Sequence, residues 1–198
     1  TFFGNKNITT GEGGMCLTNK KKIAEKMRIL RNQGVNPNKK YWHNVIGFNY
    51  RMTNIQSAIG TAQLKKIDQF IKSKRKILEW YKKGLKKFVE EGIISFQEEM
   101  PWAKCVYWMT SILVEDKFST KKISLMKYLE RKGIETRPLF YPVDSMPPYK
   151  KKDRENFPIA NDLSRKGLSL PSSVKLNRKE VKLICMEIEN FIKKSNEK

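Results

Sequence analysis

Histidine is almost absent from this chain: His43 is the only one in 198 residues. A site built on several histidines is therefore excluded, and a Ser-His-Asp triad has only one place to start from. Cysteine is scarce too. Cys16, Cys105 and Cys185 are odd in number and form no C-x-x-C pair. That argues against a disulfide framework or a zinc site, and for reduced thiols in a cytoplasmic protein. Long apolar runs are missing: no stretch approaches the roughly 20 residues that a membrane span needs. Residues 1–10 lack the basic start and apolar run of a signal peptide. The sequence opens without an initiator Met, on what reads as the end of a strand, so upstream sequence is expected to be missing. Acidic residues are few, 20 against 41 Lys and Arg, which leaves a net charge of +21.

The positive excess has two readings. One is a nucleic-acid binder. The other is a set of lysines solvating helix surfaces, and the spread of lysine along the whole chain favours it. Part of the excess can also attract an anionic substrate.

Glycine and asparagine crowd residues 4–14, which read as turns with short strands at 8–10 and 15–18 paired as a hairpin. Asn19 is placed to cap a helix over 21–32, with Ile23, Met27 and Leu30 on one face. Residues 34–38 are a loop. From residue 53 to 88 no proline interrupts an apolar pattern at helical spacing, which predicts one long helix. Beyond Gly92 the pattern alternates. Strands are expected at 93–96, 106–114 and 134–137, and a short extended piece at 169–170. Helices are expected at 121–132, 159–166 and 178–193, the last capped by Asn177 with Val181, Ile184, Cys185, Ile188 and Ile192 buried. Residues 141–149 form a proline-rich loop. The later part of the chain is thus a small α/β lobe. Trp108 and Met109 read as core.

Residues 1–14 spell T-F-F-G-N-K-N-I-T-T-G-E-G-G. This resembles the lysine loop of the DegT/DnrJ/EryC1/StrS sugar aminotransferases, S-F-x-x-x-K-x-I-T-T-G-E-G-G. In that family the lysine bonds covalently to pyridoxal 5'-phosphate (PLP), and Lys6 falls on it. The serine five residues earlier holds the cofactor phosphate, and Thr1 keeps its hydroxyl. Residues 41–54, Y-W-H-N-V-I-G-F-N-Y-R-M-T-N, resemble the family's G-[YF]-N-x-R-[ML] segment. There Asn49 and Arg51 match residues that lie near the cofactor phosphate of the neighbouring subunit. Residues 137–142, R-P-L-F-Y-P, resemble the substrate-side loop, and 167–171, G-L-S-L-P, a C-terminal turn of the family. Many relatives carry a histidine two residues after the proline of that loop, and here the residue is Asp144.

The resemblance implies an α/β protein of PLP aminotransferase fold type I. Residues 1–55 would be the C-terminal part of the cofactor-binding large domain, 56–90 a connecting helix, and 91–198 the small domain, with the N-terminal half absent. It implies Lys6 as the catalytic residue and Lys6, Thr1, Asn49 and Arg51 as cofactor-binding residues. His43, Arg137, Phe140 and Tyr141 are substrate-side candidates, each with loop or core packing as the alternative. No metal, nucleic acid or membrane partner is implied. A homodimer with shared active sites is, acting on a nucleotide-sugar and an amino-acid donor.

Within the family, the wording of 41–54 is most similar to the branch that makes GDP-perosamine by aminating GDP-4-keto-6-deoxymannose with glutamate. Family dehydratases place a histidine at the lysine position, so Lys6 stands against that branch. An aspartate that pairs with the cofactor's pyridine nitrogen belongs to the upstream half, so this chain alone is expected to be inactive.

Overall fold

The computed structural model describes residues 1–115, 118, 121–149 and 157–196. Its contacts group into two compact units, Thr1–Phe70 and Ile71–Lys198.

The first unit holds helix α1 (Lys21–Arg31), helix α2 (Asn54–Leu64) and the start of helix α3 (Ile67–Gly84). The hairpin expected at residues 8–18 does not form. Those residues are irregular because the loop closes on Phe2 instead: the Phe2 N–H donates to the Gly13 carbonyl (2.9 Å) and the Thr10 N–H to the Phe2 carbonyl (3.0 Å). Gly11 and Gly13, at φ 81° and 132°, turn the chain in ways that side-chain-bearing residues resist. Lys20, not Asn19, is the N-cap of α1, and no side chain caps it. Thr53 caps α2 through a reciprocal pair: its hydroxyl accepts from the Gln56 N–H (3.2 Å) and the Gln56 side chain accepts from the Thr53 N–H (2.9 Å).

The single long helix expected over residues 53–88 is three helices, α2, α3 and α4 (Lys86–Glu90). At the first break the backbone tightens, with the Lys66 N–H bonded to the Gln63 carbonyl three residues back. At the second, Leu85 leaves helical geometry (φ −109°, ψ 12°) and is fully buried.

The second unit is a four-stranded antiparallel sheet in the order β1 (Ile94–Phe96), β2 (Thr110–Val114), β4 (Gly167–Leu170), β3 (Arg137–Pro138). Helices α5 (Lys122–Arg131), α6 (Pro158–Lys166) and α7 (Arg178–Asn196) complete it. Its core joins Ile77, Tyr81, Leu85 and Phe88 to Ile112, Leu129, Leu168 and Ile188. The expected apolar face of α7 is buried as read, and Asn177 caps it, its side-chain oxygen accepting from the Lys179 and Glu180 N–H groups (2.9 and 3.1 Å).

Two strands are shorter than expected. Residues 106–109 stay out of β2 because Tyr107 has φ 43° and cannot continue an extended strand. Strand β3 begins only at Arg137 and includes Pro138, which an edge strand tolerates. Conversely, the short piece at 169–170 is the inner strand β4, buried at all four positions. Trp108 and Met109 are half-buried.

Candidate active site

Lys6 sits half-buried in a loop that is fastened at several points. The Lys6 N–H donates to the Phe3 carbonyl (3.0 Å), and the Thr9 hydroxyl donates to the Phe2 carbonyl (2.8 Å). Two glutamines on α2 hold the same loop from outside. The Gln63 side-chain oxygen accepts from the Thr9 N–H (3.0 Å), and the Gln56 side-chain amide donates to the Glu12 carbonyl (3.5 Å). Thr1 lies beside Gly14, and its hydroxyl oxygen accepts from the Phe3 N–H (3.4 Å), so its own proton is available to an anion.

Asn49 and Arg51 lie on a segment that runs antiparallel to the end of α1. The Tyr50 N–H donates to the Arg31 carbonyl (2.9 Å), and Asn49 bridges Asn32. Arg51 donates from Nη1 to the Asn32 side-chain oxygen (2.5 Å). The bend between these segments depends on two glycines. A Cβ on Gly47 would lie 2.3 Å from the Gly34 nitrogen, and one on Gly34 would lie 1.9 Å from the Val45 carbonyl oxygen. His43 contacts the Gln33 carbonyl through Nδ1 (2.8 Å). His43 and Arg51 line a basic, open hollow with Asn32, Asn36, Lys39 and Lys40. Met52 reaches the glycine turn of the lysine loop, where a Cβ on Gly13 would lie 3.7 Å from its methyl carbon. The two motif segments are therefore neighbours in the first unit.

The remaining candidates lie in the second unit. Arg137 is paired with Glu135 (Nη2 to Oε1, 3.0 Å). Phe140 and Tyr141 follow it as exposed rings. Among the described residues no group of three or more His, Cys, Asp or Glu is arranged to hold a metal. No described helix is long and apolar enough to cross a membrane. The cysteines are unpaired: Cys16 exposed, Cys105 half-buried, Cys185 buried with its thiol pushed up to about 12 by burial.

The sequence profile of the DegT/DnrJ/EryC1/StrS aminotransferases matches residues 1–189. The chain belongs to that family. It is 44% identical over 191 residues to GDP-perosamine synthase of Escherichia coli O157:H7, covering 96% of this chain and 50% of that protein. It is 42% identical over 193 residues to GDP-perosamine synthase of Vibrio cholerae, covering 96% and 51%. Among solved structures it superposes on Helicobacter pylori PseC, an aminotransferase of pseudoaminic acid biosynthesis, with a TM-score of 0.86 at 26% identity over 96% of this chain and 51% of that one. The chain spans about half the length of the relatives it matches.

Within this member of the DegT/DnrJ/EryC1/StrS family, three side chains that the motifs do not mark hold the candidate residues in place. Gln56 and Gln63 fasten the lysine loop, and Asn32 binds Arg51. Spacing holds one clue to the first pair: seven residues is about two helical turns, so both glutamines share a face of α2.

Proposed function

We propose that this chain carries the cofactor-bonding lysine and a substrate loop of a PLP-dependent aminotransferase. The substrate is a nucleotide-linked 4-keto-6-deoxy sugar, GDP-linked by its likeness to the perosamine synthases, and the product its 4-amino sugar. Glutamate is the donor. The observation that carries the reading is Lys6 within a closed, glycine-turned loop that α2 holds in place.

The donor set fits the cofactor: one amine (Lys6), one hydroxyl with its proton available (Thr1), one guanidinium (Arg51) and one amide (Asn49). Hydroxyls, amides and cations are the groups that hold a phosphate. Bound there, PLP supplies an electron-withdrawing ring that makes the α-proton of the amino donor removable. Thr1 binds the phosphate from the lysine loop. Asn49 and Arg51 bind the phosphate of a second copy, so the working unit is a homodimer. Lys6 Nζ has two tasks, to carry the cofactor and, when released from it, to take the proton from the donor's α-carbon. For the sugar nucleotide the first unit offers His43, and the second offers Arg137, Phe140 and Tyr141.

The test has two readouts. Borohydride reduction of the PLP-treated protein should fix the cofactor's mass on the Lys6 peptide. Incubation of the full-length protein that contains this chain with PLP, glutamate and GDP-4-keto-6-deoxymannose should give the 4-amino sugar by mass spectrometry. Lys6→Ala should abolish both, with turnover down by at least about 1000-fold, as when a covalent catalytic group is lost. Turnover that survives the substitution rejects the reading.

A further inference from the structure

Residues 139–149, L-F-Y-P-V-D-S-M-P-P-Y, contain no lysine or arginine in a chain that has 41. The stretch is ordered. Pro142, Pro147 and Pro148 each fix φ. The Leu139 N–H donates to the Gly167 carbonyl (3.1 Å), which ties the stretch to β4. The Ser145 N–H and hydroxyl both donate to the Pro142 carbonyl (3.0 and 2.6 Å), and the Tyr149 N–H donates to the Met146 carbonyl (2.9 Å). Yet Phe140 is 80% exposed and Tyr141 70%. A stiff loop that holds aromatic rings in water has already met the ordering cost of a stacking platform.

Asp144 stands at the centre of this stretch, half-buried on the single-turn helix Val143–Ser145. Among the described residues its carboxylate makes no ion pair or hydrogen bond, although the chain carries a net +21. An acceptor pair is thus available on the same short stretch as two exposed rings, three and four residues away in sequence.

We infer that Asp144 selects guanine as the base of the nucleotide substrate, with Phe140 and Tyr141 as the rings beside it. The inference rests on the reading of the substrate as a nucleotide-linked sugar, and adds the residue that chooses the base. A carboxylate offers two acceptor oxygens. Guanine is the one common base with two adjacent N–H donors on one edge, N1–H and the 2-amino group. Adenine and cytosine set one donor beside a ring acceptor, and uracil flanks its single N–H with two carbonyls. Only guanine can therefore make a bidentate, charge-assisted pair with Asp144, and the other bases bring acceptor against acceptor.

Calorimetric titration of the full-length, PLP-loaded protein with GDP, IDP, ADP and UDP tests this. IDP is GDP without the 2-amino group. GDP should bind about tenfold or more tighter than IDP, the scale of one hydrogen bond to a charged group. Asp144→Asn should bring the GDP/IDP ratio close to one. Phe140→Ala, at an exposed position, should weaken all four ligands together. Equal binding of GDP and IDP by the unaltered protein, or a ratio that Asp144→Asn leaves unchanged, overturns the inference and leaves the nucleotide-sugar reading standing. Failure of every nucleoside diphosphate to bind overturns both. A change in oligomer size with Phe140→Ala and no change in GDP binding makes the loop a protein contact, and the inference falls.

Discussion

Lys74 is the buried cation of α3. Its ammonium donates to the Trp108 carbonyl (2.9 Å) and the Ser172 carbonyl (2.5 Å), and burial lowers its pKa from 10.5. A lysine with a lowered native pKa holds its proton less tightly folded than unfolded. As pH rises through the window just below 10.5, the unfolded chain binds more protons, and stability rises. Lys74→Met should flatten that rise in urea midpoints measured from neutral to mildly alkaline pH. It should also cost about 1–3 kcal/mol by leaving one buried and one half-buried carbonyl without this donor. A variant with the unaltered pH slope would refute the assignment.

Glu99 works at the other end of the scale. Arg75 grips it with both terminal nitrogens (2.7 and 2.6 Å), and the Cys105 N–H adds a third bond (2.8 Å). These bonds, Arg75 first, hold the carboxyl at about 2, below its ordinary 4.5. The stabilisation is complete above 4.5 and is lost as pH falls from there through 2. Glu99→Gln should remove that part of the acid transition when unfolding is followed by circular dichroism. An unchanged acid limb would count against the pair.

At the scale of elements, α3 and α7 approach at Gly84. A Cβ there would lie 2.6 Å from the Cys185 sulfur and 3.0 Å from its Cβ. Gly84→Ala should therefore destabilise the second unit by about 1–3 kcal/mol, the usual cost of overpacking. Adding Cys185→Ala should recover part of that loss, and a thermal double-mutant cycle with no coupling would exclude the contact.

The same helices show what the sequence made legible. In α7 the buried positions 181, 184, 185, 188 and 192 follow helical spacing, and Asn177 sits where a cap belongs. The interruption near Lys65 was not legible, because no proline or glycine marks it. The lysine loop looked like a hairpin because its alternation at residues 8–10 suits a strand, while its fastening to Gln63 spans 54 positions. Lys6 and Arg51 stand out as candidates through their motifs, and Asn32 does not, since its partner lies 19 residues away.

Over the whole molecule, burial is uneven. The apolar core cluster lies entirely within residues 77–192. In residues 1–70 only Thr10 and Gly34 are buried, while Leu17 is 86%, Ile46 90% and Ile55 76% exposed. Exposed apolar side chains of this size mark surfaces that pack against something beyond this chain. In the chain on its own, amide hydrogen exchange should be slow across β2, β4 and α7 and fast throughout residues 1–70. Equal protection of both units would contradict this division.

Tolerance of changed length should be uneven in the same way. Gln56 and Gln63 reach the lysine loop from one side of α2, so adding a single residue between them would swing one glutamine about 100° around the helix axis. Natural variation in chain length should therefore spare those eight positions and collect in the surface connections, where no loop depends on the phase of a helix.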